Sequence, residues 1–146
     1  MIREASMEDI GELSAMFDEY RLVHGASSNV QLCAEFLGLR LANGESRALL
    51  AVHEGRPVGF AHLYPRYASL KLIRNWMLSD LYVKAGARRQ GFARQLVEAS
   101  KRLALEAGAD TLLVTTTRDN VAAKALYLSS AFERVEGLES FSVAIR

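Results

Sequence analysis

The chain has 146 residues, half of them hydrophobic and 24% charged. That is the size and composition of one globular domain, able to bury a sizeable core, and it excludes general disorder. Eighteen basic against 17 acidic side chains leave a net charge of +1, too even for a protein whose main work is gripping nucleic acid or an anionic membrane.

In chain order, Arg3, Glu4, Glu8 and Asp9 deny the N-terminus the apolar core of a signal peptide. Ser6 and Asp9 have capping-box spacing, and Ile10, Leu13, Phe17 and Tyr20 follow on one helical stripe. His24 to Asn29 reads as a loop. A second helix is predicted from Val30 to Ala42, with Leu32, Phe36, Leu39 and Arg40 along one side and Asn43-Gly44 as its stop. Cys33, the only cysteine, reads as a buried helix residue rather than a nucleophile, and no intrachain disulfide can form. His24, His53 and His62 are scattered, so no metal site is expected.

Arg47 to Val52 and Pro57 to Leu63 flank a turn at Glu54-Gly55 and read as a hairpin. Leu72 to Val83 reads as a strand with the polar pair Ser79 and Asp80 at its centre. Ala85 to Gln90 is a basic loop, and Gly91 to Ala107 is an amphipathic helix with Ala93, Leu96, Val97, Ser100, Leu103, Ala104 and Ala107 on one face. Thr111 to Thr117 reads as a strand and Asp119 or Asn120 caps a short helix to Ser129. Phe132 to Val135 and Phe141 to Ile145 read as closing strands, the last apolar enough to pair across a homodimer. The order implies a mixed α/β fold, antiparallel at its start, with a right-handed parallel crossover from Leu72 to Thr117. No apolar run approaches the roughly 20 residues of a membrane span. The expectation is one soluble, cytoplasmic domain over residues 1–146, without nucleic-acid or membrane partners.

The most informative stretch is Leu81-Tyr82-Val83-Lys84-Ala85-Gly86-Ala87-Arg88-Arg89-Gln90-Gly91-Phe92-Ala93-Arg94. A strand enters a basic turn that opens a helix, where unpartnered N–H groups and the helix dipole suit a phosphate or pyrophosphate. Gly91 permits close approach of the backbone, Ala93 lets the helix sit near the sheet, and Arg88, Arg89 and Arg94 add countercharge. The competing reading is a solvated basic turn before a surface helix. No P-loop or dinucleotide-fold glycine pattern is present.

Arg88-x-x-Gly91-x-Ala93 after a strand resembles the pyrophosphate-binding signature of the GNAT superfamily of acetyl-CoA-dependent N-acetyltransferases. Asn120-x-x-Ala123-x-x-Leu126-Tyr127 followed by Ala131-Phe132 is similar to the family's second cofactor-contacting helix, and the element order matches along essentially the whole chain. The resemblance implies a largely antiparallel twisted central sheet, helices on both faces, and a parallel strand pair splayed at the cofactor site. It implies acetyl-CoA as co-substrate, contacted by Leu81, Tyr82, Val83, Arg88, Arg89, Gln90, Gly91, Phe92, Ala93, Arg94, Asn120, Ala123 and Tyr127. Asp80-Leu81-Tyr82-Val83 corresponds to the central strand. The positions from which that strand usually supplies the family's general base hold Met77 and Ser79, and neither is a base.

The implied reaction is direct attack of an amine on the thioester. Tyr127 is the candidate acid for the leaving thiolate, against the commoner role of a core or rim tyrosine. The proton of the amine goes to Asp80, to His62 or to a water chain. Strict alternation turns Asp80 away from Ser79, Leu81 and Val83 unless a β-bulge redirects it, and accepting hydrogen bonds inside the sheet is its alternative role. Tyr20, Arg21, His24, Tyr64, Arg66, Tyr67 and Lys71 would wall the acceptor cleft, with Arg21 or Arg66 able to pair with an acceptor's carboxylate. The acceptor implied is a small-molecule amine or amino acid. A peptide or protein acceptor and a non-catalytic acyl-CoA-binding module are the alternatives.

Overall fold

The computed structural model describes residues 1–146, which divide into two compact units, 1–115 and 116–146. The first unit holds six strands and three helices of more than one turn: β1 (Ile2–Glu4), α1 (Ile10–Val23), α2 (Val30–Ala42), β2 (Arg47–His53), β3 (Arg56–Tyr64), β4 (Tyr67–Ala68), β5 (Ile73–Val83), α3 (Phe92–Glu106) and β6 (Thr111–Val114). β1 pairs with β2, β2 with β3 and β3 with β5, all antiparallel, β4 pairs antiparallel with the start of β5, and β6 lies parallel to β5. This is the mixed sheet that the sequence implies, with two short strands, β1 and β4, that it does not reveal.

Ala48, Leu49, Leu50 and Ala51 of β2 are all buried, so both faces of the sheet are covered. On one face Ala48, Leu50 and Phe60 pack with Leu13 and Met16 of α1 and Leu37 of α2. Helix α3 packs on β2, β3 and β5 and buries Phe92, Leu96, Val97, Ser100, Leu103 and Ala104. Its long polar residues Gln95, Arg102 and Glu106 face solvent, as the periodicity requires.

Helix α2 begins and ends where expected but turns the other way. Leu32, Phe36 and Leu39 are exposed, and Cys33 and Leu37 are the buried pair. Apolar residues occur on nearly every side of this helix, so its own pattern selects no face. Docking against α1 selects it instead. Arg40 stacks over the outward Phe36 ring at 4.6 Å and pairs with Glu45 at 2.7 Å.

Near the N-terminus Asp9 accepts the backbone N–H of Ser6 at 2.8 Å, as a capping box does, but the turn it closes is a single 3₁₀ turn (Met7–Asp9) before α1. Arg3 grips the same carboxylate through both Nη atoms at 2.9 and 2.8 Å, which ties β1 to the start of α1.

The second unit contains α4 (Val121–Ser129). Residues 132–146 join no ladder, so the closing strands predicted at Phe132 to Val135 and Phe141 to Ile145 do not form. The edge on which a homodimer was expected is therefore not a strand. Alternating Phe141, Val143 and Ile145 satisfy strand propensity, but a strand exists only through a partner's hydrogen bonds, and propensity cannot supply one.

Candidate functional site

The site is built on the second half of β5. The ladder with β6 runs from Asn75–Thr111 to Leu78–Val114 and stops there, while β5 continues to Val83 against β3. From Ser79 onward one edge of β5 therefore has no parallel neighbour. Lys84 donates its N–H to Val58 at 2.8 Å, on the β3 side. Because backbone groups alternate along a strand, Leu81 and Val83 present theirs to the other, open edge. Arg88 Nε donates to Val83 O at 3.1 Å, which occupies that carbonyl. The main-chain groups of Leu81 and the N–H of Val83 remain along this edge. At Gly59 the neighbouring strand approaches so closely that an added Cβ would lie 2.7 Å from Tyr82 O.

After Val83 the chain makes a 3₁₀ turn (Ala85–Ala87), buries Ala87, and enters α3 through Arg89 and Gly91, which have φ of +63° and +84°. Gly91 is the N-cap, and its left-handed conformation is one that L side chains adopt only at a cost. The first bond of the helix runs from Gln95 N–H to Gly91 O at 3.0 Å. The N–H groups of Phe92 and Ala93 thus have no intrahelical acceptor. Arg88, Arg89, Gln90 and Arg94 are exposed around this turn, and Phe92 is buried with its ring 5.4 Å from that of His53. Amide donors, the helix dipole and exposed guanidinium groups together favour an anion.

Asp80 lies on the α1 side of the sheet because β5 carries a bulge. His62 pairs with Asp80 and Leu63 with Leu78, which leaves Ser79 as the extra residue. Strict alternation would have put Asp80 on the face of Trp76 and Leu78. The bulge exchanges the faces, so Trp76 and Leu78 stay buried and Asp80 meets His62. Asp80 Oδ2 is 2.9 Å from His62 Nδ1, and His62 Nε2 is 2.8 Å from Ser46 Oγ. Ser46 and His62 are only 2% and 1% exposed, whereas the Asp80 side chain keeps 16% exposure. The Tyr64 ring covers His62 at 4.7 Å. Burial and the nearby Asp80 charge push the Tyr64 phenol up from its ordinary value. Ser46 escapes the sequence reading because it precedes β2 as a lone serine and meets His62 only through the hairpin register.

Tyr82 points to the same side, donates its hydroxyl to Glu19 at 3.0 Å and packs on Phe60 and Tyr20. Burial, then Glu19, raises its phenol. Among the expected cleft residues, Tyr20 lies within this aromatic cluster with His24 at 4.7 Å. Arg21 is tied to Ser27 O at 3.1 Å. Arg66 reaches Met77 Sδ at 3.7 Å, and Tyr67 and Lys71 are exposed. Cys33 is buried beside Asp18, with 3.9 Å between Sγ and Oδ1.

In the second unit Asn120 caps α4, its side chain accepting Ala123 N–H at 3.1 Å. Tyr127 is partly buried, its ring 5.7 Å from Phe132, and burial raises its phenol above the usual value. No group of three His, Cys, Asp or Glu side chains is arranged to hold a metal, and no helix is long and apolar enough to cross a membrane.

Residues 13–132 match the acetyltransferase (GNAT) family. The chain is 33% identical over 144 residues to the uncharacterized N-acetyltransferase YhfO of Bacillus subtilis, covering 99% of this chain and 97% of that protein. A crystal structure described as a probable acetyltransferase is 34% identical and superposes with a TM-score of 0.92, covering 100% of this chain and 98% of the other. A structure from Clostridium acetobutylicum, described as a predicted acetyltransferase with acetyl-CoA, shares the fold at a TM-score of 0.80 and 15% identity, covering 97% of this chain and 95% of that one. With a mixed sheet open along β5, a glycine-capped helix at its end and a family match across 120 of 146 positions (13 to 132), the chain belongs to the GNAT acetyltransferase family.

Proposed function

We propose that the protein is an acetyl-CoA-dependent N-acetyltransferase, acting as one domain over residues 1–146. It moves an acetyl group to the primary amine of a small molecule or amino acid by direct attack in a ternary complex. The observation that carries this reading is the open edge of β5 running directly into the Gly91 helix start. The fit is chemical as well as topological. The amides of the turn suit a diphosphate, and a Cβ at Gly91 would be strained by its φ of +84° exactly where the backbone must come close.

Arg88, Arg89, Gln90, Gly91, Phe92, Ala93 and Arg94 would hold the diphosphate, and Leu81, Tyr82 and Val83 the amide-bearing arm. Asn120, Ala123 and Tyr127 of α4 complete the binding set by the family pattern. Acetyl-CoA supplies an electrophilic thioester. The N–H groups of Leu81 and Val83 are placed to stabilise negative charge on its carbonyl oxygen during transfer.

Asp80 is the better base of the two candidates. His62 has both nitrogens engaged and its ring buried, while Asp80 offers the exposed end of the chain. Asp80 accepts a proton from the acceptor's ammonium group, and the neutral amine attacks. Tyr127, a protonated phenol that burial raises further, gives its proton to the departing sulfur. Arg21 is committed to a loop carbonyl, which leaves Arg66, held against Met77 on the Asp80 face, as the cation for an acceptor's carboxylate.

The test is release of free CoA thiol from acetyl-CoA in the presence of a pooled panel of amines, amino acids and peptides. Amine-dependent release from the small-molecule or amino-acid pools supports the reading. Release only with peptides moves the acceptor to a polypeptide, and calorimetric binding without turnover on any pool leaves a binding module.

A further inference from the structure

We infer that Ser46 and His62 are positioning residues that hold the Asp80 carboxylate for proton transfer, a role that rests on Asp80 being the base. The contacts Ser46 Oγ to His62 Nε2 at 2.8 Å and His62 Nδ1 to Asp80 Oδ2 at 2.9 Å follow the connectivity of a nucleophilic Ser-His-Asp triad. The accessibility runs the opposite way. The serine is the sealed end at 2% exposure, and the carboxylate is the end that opens outward at 16%. Ser46 cannot reach a substrate, so this chain is not a nucleophile. It is a buried support whose working end is Asp80.

The proton assignments follow from the partners. A carboxylate only accepts, so Nδ1 carries the hydrogen that meets Oδ2. With hydrogen on Nδ1 alone, Nε2 is an acceptor and the Ser46 hydroxyl donates to it. Asp80 thereby selects the Nδ1–H tautomer, since a hydrogen on Nε2 would leave the Nδ1 lone pair facing the carboxylate, and Ser46, whose hydroxyl can donate or accept, satisfies the buried Nε2 and fixes the ring. The ring is immobilised by Tyr64 at 4.7 Å and by the edge contact with Phe17 at 6.2 Å. One carboxylate oxygen is spent on His62 and Oδ1 is left for the incoming proton. That proton passes from the ammonium nitrogen to Oδ1, the Nδ1–H bond stays intact, and the nitrogen recovers its lone pair. The bulge at Ser79 is the backbone device that makes the contact, because His62 and Asp80 share a face only with the extra residue present.

Two measurements test this. In the first, long-range nitrogen–proton NMR of the full chain reads which nitrogen of His62 carries hydrogen. Nδ1–H is expected in the wild type and in Ser46→Ala, with Nε2–H gaining in Asp80→Ala, which lacks the carboxylate that selects the tautomer. An Nε2–H wild type overturns the role of Ser46 and His62 and leaves Asp80 as the base. The second measurement is kinetic. Ser46→Ala should lower kcat about tenfold with KM for acetyl-CoA unchanged. His62→Asn, whose amide N–H replaces Nδ1–H, should retain about tenfold more kcat than His62→Gln, whose amide sits at the Nε2 position. Equal kcat per folded molecule in the two His62 variants, with only thermal stability altered, reduces the chain to a structural one. Unchanged turnover in Asp80→Asn removes the base itself, and this inference with it.

Discussion

At the scale of single residues, two side chains carry the proposed chemistry. Asp80→Asn keeps the shape and removes the proton acceptor, so kcat should fall about 10²–10⁴-fold while acetyl-CoA still binds. Steady-state kinetics beside calorimetry measure both quantities. An acid catalyst must keep its proton at working pH, as an ordinary phenol does, and burial raises that of Tyr127 further. Tyr127→Phe should keep cofactor affinity and lose turnover by about 10²-fold, and unchanged turnover would return Tyr127 to a packing role. The sequence makes both residues visible, but for different reasons. Tyr127 stands in a recognisable spaced pattern. Asp80 stands out as a carboxylate inside an apolar strand, and its orientation depends on a bulge that no local pattern announces. Ser46 gives no signal at all, because its significance lies in a partner 16 residues away across the hairpin.

At the scale of elements, β5 governs the site, and its position depends on β3. Gly59 lets the two strands meet where a Cβ would sit 2.7 Å from Tyr82 O and 3.3 Å from Val83 Cα. Both obstacles are backbone, so the strands themselves must move. Gly59→Ala should cost about 1–3 kcal/mol of stability by urea titration and weaken acetyl-CoA binding, since Val83 leads into the turn. Elements with one marked stripe are legible. Helix α3 carries small and apolar residues on one side and long polar ones on the other, and it buries the side expected. Helix α2 has legible ends, set by Asn29, whose side chain accepts Leu32 N–H at 3.0 Å, and by the Asn43-Gly44 stop. Its face is illegible because apolar residues surround it. β1 has three residues and exists only through β2, more than forty positions away in the chain.

At the scale of the whole molecule, the family and the order of the main elements are readable because spaced motifs and amphipathic periods are local properties. The last fifteen residues are not readable, since strand propensity carries no information about a partner. Stability has an acid-sensitive contribution at the N-terminus. Hydrogen bonds from Arg3, then from the Ser6 backbone, hold the Asp9 carboxyl down to about 2. A depressed folded-state value stabilises the native protein above the ordinary carboxylate value near 3.8 and is lost as pH falls toward 2. Arg3→Ala should therefore lower Tm at pH 5 to 7, with the difference from wild type shrinking between pH 4 and pH 2. A difference that stays constant across that range would assign the effect to packing rather than charge.

The central claim is that the main-chain amides from Arg88 to Ala93 receive the diphosphate of acetyl-CoA. Titration of the nitrogen-labelled protein with acetyl-CoA, followed by amide NMR, reads those groups one by one. The amide signals of Gln90, Gly91, Phe92 and Ala93 should move downfield and saturate together with those of Leu81 and Val83. Saturable binding that leaves this turn unmoved, or no binding to the folded chain, would contradict it.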